Sequence, residues 1–514
     1  MKKILGIGFL VVVAASAMAI PARRDGFVRT DANGNTITVF AHGDETFHYF
    51  TDAEGRWLDA ETLLPMSDEA KAETEKRGIA RKQARRVQTA GVSRLLAPRG
   101  AVILVSYKDQ AFASTNAEMT DWAMGDNYSY RGATGSIRRY FLDQSWGQYD
   151  MQIDVIGPVT VSRNGSYYGA NDYQGNDKHP DELVVEACKL AHDDYGVDFS
   201  QYDSNNDGYV DWVVILYAGY GEADGAPATT IWPHQWELSY TNMEFKLDGK
   251  TVDHYCCLNE LDYTTQRRNG IGTFCHEFGH VMGLPDLYAT NYATHHTLAD
   301  WDIMDYGAYL NNGNTPPAYS AYERWYMGWM TPTLVNEACS VEMPVLNDCK
   351  AACLLTEDGS NVTNILNPDP ATFYLLETRK KEGWDKYIPG EGMLVTKIQF
   401  DAGKWEGNTV NNTARAMGID ILEAKSNTGK FGKATDAYPK GADEFTEVTK
   451  YQVTRIEFED DVVSFNVNGG GKRLIVGKDS VPQDEKALKY FEYGTVVIER
   501  NGKKYDIVGR LIAQ

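Results

Sequence analysis

The chain has 514 residues, of which 43% are hydrophobic and 12% aromatic, a composition that excludes a disordered or collagen-like protein. This length predicts about two to four domains. Lys and Arg number 50 against 72 Asp and Glu, a formal net charge of −22. Because nucleic acids and anionic membranes bind basic surfaces, this charge argues against both as partners.

The amino-terminal residues have the pattern of a secretory signal peptide. Two lysines precede a short apolar run, and Ala17-Met18-Ala19 fits the small-residue rule for cleavage. The apolar run is too short to cross a bilayer. We therefore predict a signal peptide over residues 1–19 and export to the periplasm or the extracellular medium. A short membrane anchor is the alternative.

Residues 20–96 combine predicted short strands with a charged helical stretch. Asn33-Gly34 is a turn signal between alternating segments. Residues 67–88 are highly charged and have few apolar positions. We predict a propeptide-like segment that ends in a basic linker, with a processing site in or near residues 80–96.

Residues 97–335 carry the pattern of the main domain. The apolar run Val102–Val105 predicts a buried strand. A helical pattern near residues 178–195, a second buried strand and another helix near residues 270–282 follow. Interleaved strands and helices predict an α/β (α+β) core.

The sequence pattern changes after residue 335. Short alternating segments separated by Gly, Asn and Pro predict an all-β domain over residues 336–468. A run of three glycines then marks a boundary, and residues 469–514 are predicted as a short carboxy-terminal β-hairpin tail.

The stretch TFCHEFGHVMGLPDLY, from Thr273 to Tyr288, is the most informative part of the chain. His276 and His280 are four residues apart, so on a helix both imidazoles can bind one cation. Glu277 lies at the rim of that face, where a carboxylate can take a proton from a metal-activated water. The spacing predicts a zinc site with Glu277 as general base. A surface helix with incidental histidines is the alternative.

The third ligand of such a site is expected on the segment that follows the helix. Gly283 allows the chain to reverse direction, and Pro285 prevents helical continuation. Asp286 then lies on the returning segment, and a carboxylate oxygen is a legitimate zinc ligand. The alternatives for the third ligand are His295, His296 and Glu323.

The stretch HEFGHVMGLPDLY resembles the metzincin clan of zinc endopeptidases, and within it the M6, or immune inhibitor A-like, family. Most metzincins have a histidine at the position of Asp286. The resemblance covers about residues 100–450, with similar blocks at residues 135–150, 202–223, 231–238 and 301–307. It implies a metzincin-like catalytic domain over residues 97–335 and an inhibitory propeptide before it.

The resemblance also implies roles near the metal. In WDIMDYG, Met304 matches the methionine that forms a hydrophobic floor under the ligands, and Tyr306 resembles a tyrosine that stabilises the oxyanion. An ordinary core methionine and a turn tyrosine are the alternatives. Trp232 and His234 are expected either to line the cleft or to pack at a strand end.

A second metal site is suggested by DSNNDGYVD. The spacing of its polar side chains is that of a calcium loop, although a full EF-hand would need an acid where Val214 stands. An Asp/Asn-rich turn stabilised by its own side chains is the alternative. The candidate calcium ligands are Asp203, Asn205, Asp207 and Asp211.

Together these features predict a secreted zinc-dependent endopeptidase that acts on proteins or peptides, made as a zymogen for an activating protease. A non-catalytic exported surface or binding protein with a structural zinc helix is the alternative from another class. A zinc hydrolase of non-peptide esters or amides is a third.

Overall fold

The computed structural model of the chain describes most of its length. The predicted signal peptide and residues 83–97, which include most of the predicted processing site, lie outside the described residues. The described residues are 20–44, 47–82, 98–172, 175–291 and 293–477, together with four strands between residues 488 and 513.

The amino-terminal segment is a small antiparallel sheet followed by a helix. The four strands pair in chain order, and alternate residues of the second strand, such as Val39 and Ala41, are buried. This alternation is typical of a sheet with one covered face. The elements are β1 (Phe27–Thr30), β2 (Thr36–Asp44), β3 (Phe47–Asp52), β4 (Trp57–Leu58) and α1 (Asp68–Lys82).

The main domain is built on a six-stranded mixed sheet. Four strands run parallel in the order β11-β7-β5-β6, with β12 and β8 added antiparallel to β11. The run Val102–Val105 is fully buried in β5, as expected for a parallel strand covered on both faces. The strands are β5 (Arg99–Ser106), β6 (Gln152–Thr160), β7 (Val213–Tyr220), β8 (His234–Glu237), β11 (His254–Asp262) and β12 (Arg267–Arg268), with β9 (Phe245–Leu247) and β10 (Lys250–Val252) as a separate hairpin.

Short helices cover this sheet, so the domain is mixed α/β as predicted. Pro180 begins the longest of them, and Gly196 ends it in the left-handed conformation. No helix in the described ranges is long and apolar enough to cross a membrane. The helices are α2 (Asn116–Met124), α3 (Ile137–Gln144), α4 (Gly165–Gly169), α5 (Pro180–Tyr195), α6 (Gly272–Val281) and α7 (Ala321–Tyr326).

The carboxy-terminal region consists of two five-stranded sheets packed face to face. Their orders are β13-β15-β16-β17-β18 and β19-β20-β21-β14-β22. The elements are β13 (Thr333–Leu334), β14 (Cys339–Pro344), β15 (Ala352–Leu355), β16 (Thr372–Arg379), β17 (Gly392–Gln399), α8 (Ala402–Glu406), β18 (Ile419–Ile421), β19 (Glu444–Phe445), β20 (Val453–Glu459), β21 (Val462–Val467) and β22 (Lys472–Ile475).

The first of these sheets is shared between two hydrophobic cores. Along β16, Phe373 and Leu375 belong to the core of the main domain, whereas Tyr374 and Leu376 face the second sheet. Because successive side chains of a strand point to opposite faces of the sheet, one strand contributes residues to both cores. The β-rich region is therefore packed against the main domain over the whole face of a sheet.

The carboxy-terminal boundary differs from the prediction. β22 pairs in parallel with β14, so the second sheet extends past residue 468 and includes part of the segment predicted as a tail. A separate four-stranded antiparallel sheet follows instead of a single hairpin. Its strands are β23 (Leu488–Glu492), β24 (Thr495–Arg500), β25 (Lys503–Tyr505) and β26 (Leu511–Ala513).

A buried charged network also joins the main domain to β16. Arg379 donates to both carboxylate oxygens of Asp385, at 2.8 and 2.5 Å, and to Glu377 at 3.1 Å. These carboxylates accept in turn from the backbone N–H groups of Ala318 and Ala321, just before and at the start of α7. All three charged side chains are almost fully buried, so the network is satisfied only when both regions are docked.

We predict that Arg379→Ala lowers the free energy of unfolding by about 3–5 kcal/mol, because it leaves buried carboxylates without their counterion. Urea denaturation followed by tryptophan fluorescence measures this. The neighbouring Lys380 pairs with exposed acids, so Lys380→Ala should cost about 1 kcal/mol or less. Equal losses in the two variants would contradict a structural role for the buried network.

Candidate metal centre

Helix α6 ends abruptly, and this ending shapes the site. Gly283 has φ of +94°, and Leu284 donates its N–H to the carbonyl of Gly279 at 3.0 Å. Only glycine adopts this backbone conformation without strain. The chain therefore reverses after the helix and brings Asp286 back beside the two histidines.

His276, His280 and Asp286 form a compact buried triangle. The two Nε2 atoms are 3.2 Å apart, and Oδ1 of Asp286 lies 3.2 Å from Nε2 of His276 and 3.3 Å from Nε2 of His280. Two ligands about 2.0–2.1 Å from a tetrahedral zinc ion are separated by about 3.3–3.4 Å. The triangle thus has the dimensions of three zinc ligands.

The proton positions on the imidazoles favour a cation in this triangle. Nδ1 of His276 lies 2.7 Å from the carbonyl of Ile303, and Nδ1 of His280 lies 2.8 Å from that of Leu284. Each Nδ1 therefore carries the proton, and each Nε2 offers a lone pair. Oδ1 of Asp286 is buried without a hydrogen-bond donor. Three acceptors that face each other in this way fit a bound metal ion.

The protonation states also suit metal binding. Burial, with a smaller contribution from His280, lowers the pKa of His276 although Asp286 opposes the change. Burial alone would raise the pKa of Asp286, but the two histidines outweigh it and hold that pKa below its usual range. A neutral imidazole at His276 and an ionised carboxylate at Asp286 are forms that bind metal.

The carboxy-terminal region orients the third member of the triangle. Asn408 donates its amide to Oδ2 of Asp286 at 2.6 Å and accepts the backbone N–H of Asp286 at 2.8 Å. This pair of bonds turns Oδ1 towards the histidines. Sequence reasoning missed this role, although Asn408 lies within the stretch of about residues 100–450 over which the chain resembles the family. Contact over 122 residues of sequence cannot be read from local spacing.

Met304 lies directly beneath α6. A Cβ atom added at Gly279 would be 2.5 Å from its sulfur, so only glycine lets the helix approach the methionine this closely. The segment that carries Met304 also supplies the Ile303 carbonyl to His276. Met304 is fully buried, and its role as a hydrophobic floor beneath the two histidines stays a prediction.

Glu277 is fully buried and contacts the amino-terminal segment. Its Oε1 accepts the backbone N–H of Ile20 at 2.6 Å. Ile20 begins a segment that we call the N-terminal strap, Ile20–Arg24. Trp232 donates its indole N–H to the carbonyl of Ile20 at 3.2 Å, and Tyr309 donates its hydroxyl to that of Pro21 at 2.7 Å. The strap therefore lies across the predicted general base.

The strap and the β-rich region account for the complete burial of the helix and the turn after it. A surface helix with incidental histidines is the alternative for this stretch, yet all ten residues of α6 are buried. The strap covers Glu277 on the helix, and Asn408 covers Asp286 on the segment that follows it. Both covering segments are remote from the helix in sequence.

The structure places the other candidate ligands elsewhere. His295 binds the carbonyl of Asn411 through Nε2, and His296 binds that of Gly429 through Nδ1. Glu323 caps α7 through the backbone and hydroxyl of Ser320. Among the described residues, the only His/Cys/Asp/Glu group with metal-binding spacing is His276, His280 and Asp286.

Tyr306 lies under the strap. The guanidinium carbon of Arg24 is 3.3 Å from the centre of its ring, and the ring of Tyr288 is 6.3 Å away. Burial raises the pKa of Tyr306, which Arg24 partly offsets. The phenol therefore remains protonated at neutral pH and can donate a hydrogen bond.

The predicted calcium loop is an internally bonded turn. Lys250 places its ammonium 2.5 Å from Oδ2 of Asp203, whose carboxylate also accepts the N–H groups of Asp207 and Gly208. Asp211 accepts the N–H of Ser204. Because Lys250 supplies the positive charge and backbone groups fill the acceptors, the structure does not support calcium at Asp203, Asn205, Asp207 and Asp211.

We predict that Asn408→Gly weakens zinc binding by about 10–100-fold, because the ligand loses its orienting partner. Glycine is the suitable replacement since Asn408 has φ of +49°. Zinc affinity is measured by competition with a chromogenic chelator. The nearby Asn412 bonds Thr290 and Asn291, so Asn412→Ala should leave the affinity unchanged. Asp286→Asn should weaken binding at least as much, and unchanged affinity there would remove Asp286 as a ligand.

Comparison with known proteins agrees with this geometry. Residues 115–330 match the family model described as immune inhibitor A peptidase M6, catalytic domain. The chain is 31% identical to immune inhibitor A of Bacillus thuringiensis subsp. alesti over 210 residues, which are 36% of this chain and 30% of the relative. It is 30% identical to pre-pro-metalloprotease PrtV of Vibrio cholerae serotype O1 (strain M66-2) over 233 residues, 39% of this chain and 25% of the relative.

These matches are confined to part of each protein. The chain spans less than a third of the length of either relative. The matched segment contains α6, the three triangle residues and Met304, whereas the strap and Asn408 lie outside it. Residues 115–330 are therefore similar to the catalytic domain of the M6, immune inhibitor A-like peptidases, the family that the motifs predicted.

Proposed function

We propose that this protein is a zinc-dependent endopeptidase of the metzincin type, exported as a latent precursor. The observation that carries the proposal is the buried triangle of His276, His280 and Asp286 with Glu277 beside it. Three acceptor atoms that fit a cation, next to a carboxylate, form the arrangement that metal-assisted amide hydrolysis requires.

The proposed chemistry divides between the metal and the chain. A zinc ion held by the triangle would supply the Lewis acidity that polarises a peptide carbonyl and lowers the pKa of a water molecule. Glu277 would accept a proton from the attacking water and return it to the leaving nitrogen. The 2.6 Å contact between Oε1 of Glu277 and the Ile20 nitrogen supports this role, because a nitrogen on the amine side of a cleaved bond reaches that oxygen.

Two further residues assist in this proposal. Met304 supports the histidines from below through its contact with Gly279. Tyr306 donates its phenol hydrogen to the oxyanion that forms when the carbonyl is attacked. For the phenol to do so, Arg24 of the strap must first leave its ring.

A non-catalytic binding protein with a structural zinc is the alternative class. Structural zinc sites are usually closed by four protein ligands, whereas catalytic sites leave one position open. Among the described residues the triangle has three members. A structural site would also have no use for a buried carboxylate at Glu277. Both features favour catalysis over a structural role.

We further propose that the strap keeps the precursor inactive. It is held by Glu277, Trp232 and Tyr309 through three hydrogen bonds, so a substrate cannot reach the general base until the strap leaves. The Vibrio relative is itself named a pre-pro-metalloprotease. In this chain residues 1–19 would direct export, and a protease would cleave in or near residues 80–96.

We predict that Glu277→Gln retains zinc and loses casein hydrolysis by about 10²–10⁴-fold, because the proton acceptor is removed while the ligands remain. Metal content and casein cleavage of the processed protein measure the two effects. The exposed Glu382 provides a control of equal charge change, and Glu382→Gln should keep full activity. The peptidase proposal would be contradicted if the wild type and Glu277→Gln both bound zinc and neither cleaved any protein.

We predict that processing raises casein hydrolysis by about tenfold or more, since the site is accessible only in the fraction of molecules whose strap is displaced. Activity is measured on the full chain before and after limited trypsin digestion, with trypsin then removed. Processed Glu277→Gln controls for residual trypsin. An unprocessed chain as active as the processed one would contradict latency.

A further inference from the structure

The strap places one charged side chain in a recess of the main domain. Arg23 is only 4% exposed. Its guanidinium pairs with Asp262, donates to Oδ1 of Asn312 at 2.8 Å and lies 5.7 Å from the ring centre of Tyr309. An acid, an amide oxygen and an aromatic ring thus surround one cation.

A second buried carboxylate adds to the charge of this recess. Asp224 and Asp262 are 4% and 2% exposed, and Asn259 donates its amide to Asp224 at 2.8 Å. Burial and the charge of Asp262 raise the pKa of Asp224 to about 7, although Arg23 lowers it. We call Asp224, Asp262 and Asn312 the acidic recess. Without Arg23 it would hold buried negative charge with no counterion, which is costly.

The strap has a defined register relative to the general base. The Ile20 nitrogen lies at Glu277, and the chain runs from there towards its carboxyl end. In amide hydrolysis the general base faces the nitrogen of the product that contains the new amino terminus. Ile20 therefore occupies the first position after the scissile bond, and Arg23 occupies the fourth.

Main-chain contacts hold the strap independently of its sequence. Tyr309 binds the carbonyl of Pro21, and Arg23 donates its backbone N–H to the carbonyl of Ala223 at 3.0 Å. Such bonds would form with any extended peptide. The side chains of Arg23 and Arg24 make the contacts that depend on peptide sequence, and of these two Arg23 is the one paired with a buried carboxylate.

We propose that the acidic recess is a specificity site that selects peptides with arginine, and less strongly lysine, four residues after the scissile bond. Arginine is preferred because its planar fork contacts Asp262 and Asn312 together, whereas an ammonium is a single point charge. The inference rests on the proposed peptidase function and names its substrate class. In the precursor, Arg23 occupies the position that the substrate side chain takes after activation.

The first test profiles cleavage by the processed full-length protein. A peptide library made with a glutamate-specific protease is digested, and the new termini are identified by mass spectrometry. We expect arginine to be enriched about fivefold or more at the fourth position after the cleaved bond. Asp262→Asn should abolish this enrichment, and Asp126→Asn, which removes an acid 82% exposed, should preserve it.

The second test needs no catalysis. Fluorescently labelled Ile-Pro-Ala-Arg and Ile-Pro-Ala-Ala are titrated with the processed protein, and binding is followed by anisotropy. We expect the arginine peptide to bind about tenfold more tightly. Asp262 also accepts the N–H of Thr265, so Asn312→Ala is the second variant, which removes a guanidinium contact without touching that turn. Each variant should reduce the tenfold difference.

The outcomes separate this inference from the peptidase proposal. Equal binding of the two peptides, or an arginine preference that survives both Asp262→Asn and Asn312→Ala, overturns the acidic recess as a specificity site. Cleavage without enrichment at the fourth position also overturns it. Selective binding of the arginine peptide by a protein that hydrolyses nothing supports the recess and overturns the peptidase proposal alone.

Discussion

Three acceptor atoms held within 3.3 Å of one another, fully buried, are the constraint on which the rest of the structure depends. Lone pairs in such proximity repel each other unless a cation lies between them. The fold holds them in place from outside: backbone carbonyls bind both histidines, and Asn408 binds Asp286. The turn at Gly283 and the methionine beneath α6 serve the same arrangement.

This arrangement requires regions that are separate in sequence. Helix α6 and the turn at Gly283 belong to the segment that matches the M6 family model. Asn408 lies in the β-rich region beyond that segment. The shared sheet and the Arg379 network keep those two regions docked. The β-rich region therefore helps to position the triangle of His276, His280 and Asp286, and we expect its loss to disturb that arrangement.

The N-terminal strap makes two contacts with different effects, one at Glu277 and one at Asp262. By contacting Glu277 it closes the site, and by placing Arg23 on Asp262 it fills a recess that would otherwise bury unbalanced charge. Under the proposed function, inhibition and selectivity would draw on the same contacts, because a segment that resembles the amine-side product would occupy the positions of a substrate. Removal of the strap would then expose Glu277 and the acidic recess together.

The sequence by itself determined the parts of this protein that depend on local spacing. The His276–His280 interval, the reversal at Gly283, the buried strand β5 and the alternating strands after residue 335 all follow from helix and strand periodicity. The calcium loop was suggested by the same kind of spacing, but Asp203 is bonded by Lys250, 47 residues away in sequence, which favours the alternative of an internally bonded turn. Only the tertiary structure decided which distant groups meet: Ile20 at Glu277, Arg23 at Asp262, and Asn408 at Asp286. These contacts join residues more than a hundred positions apart, and their pairing depends on how whole sheets pack, which no local pattern encodes.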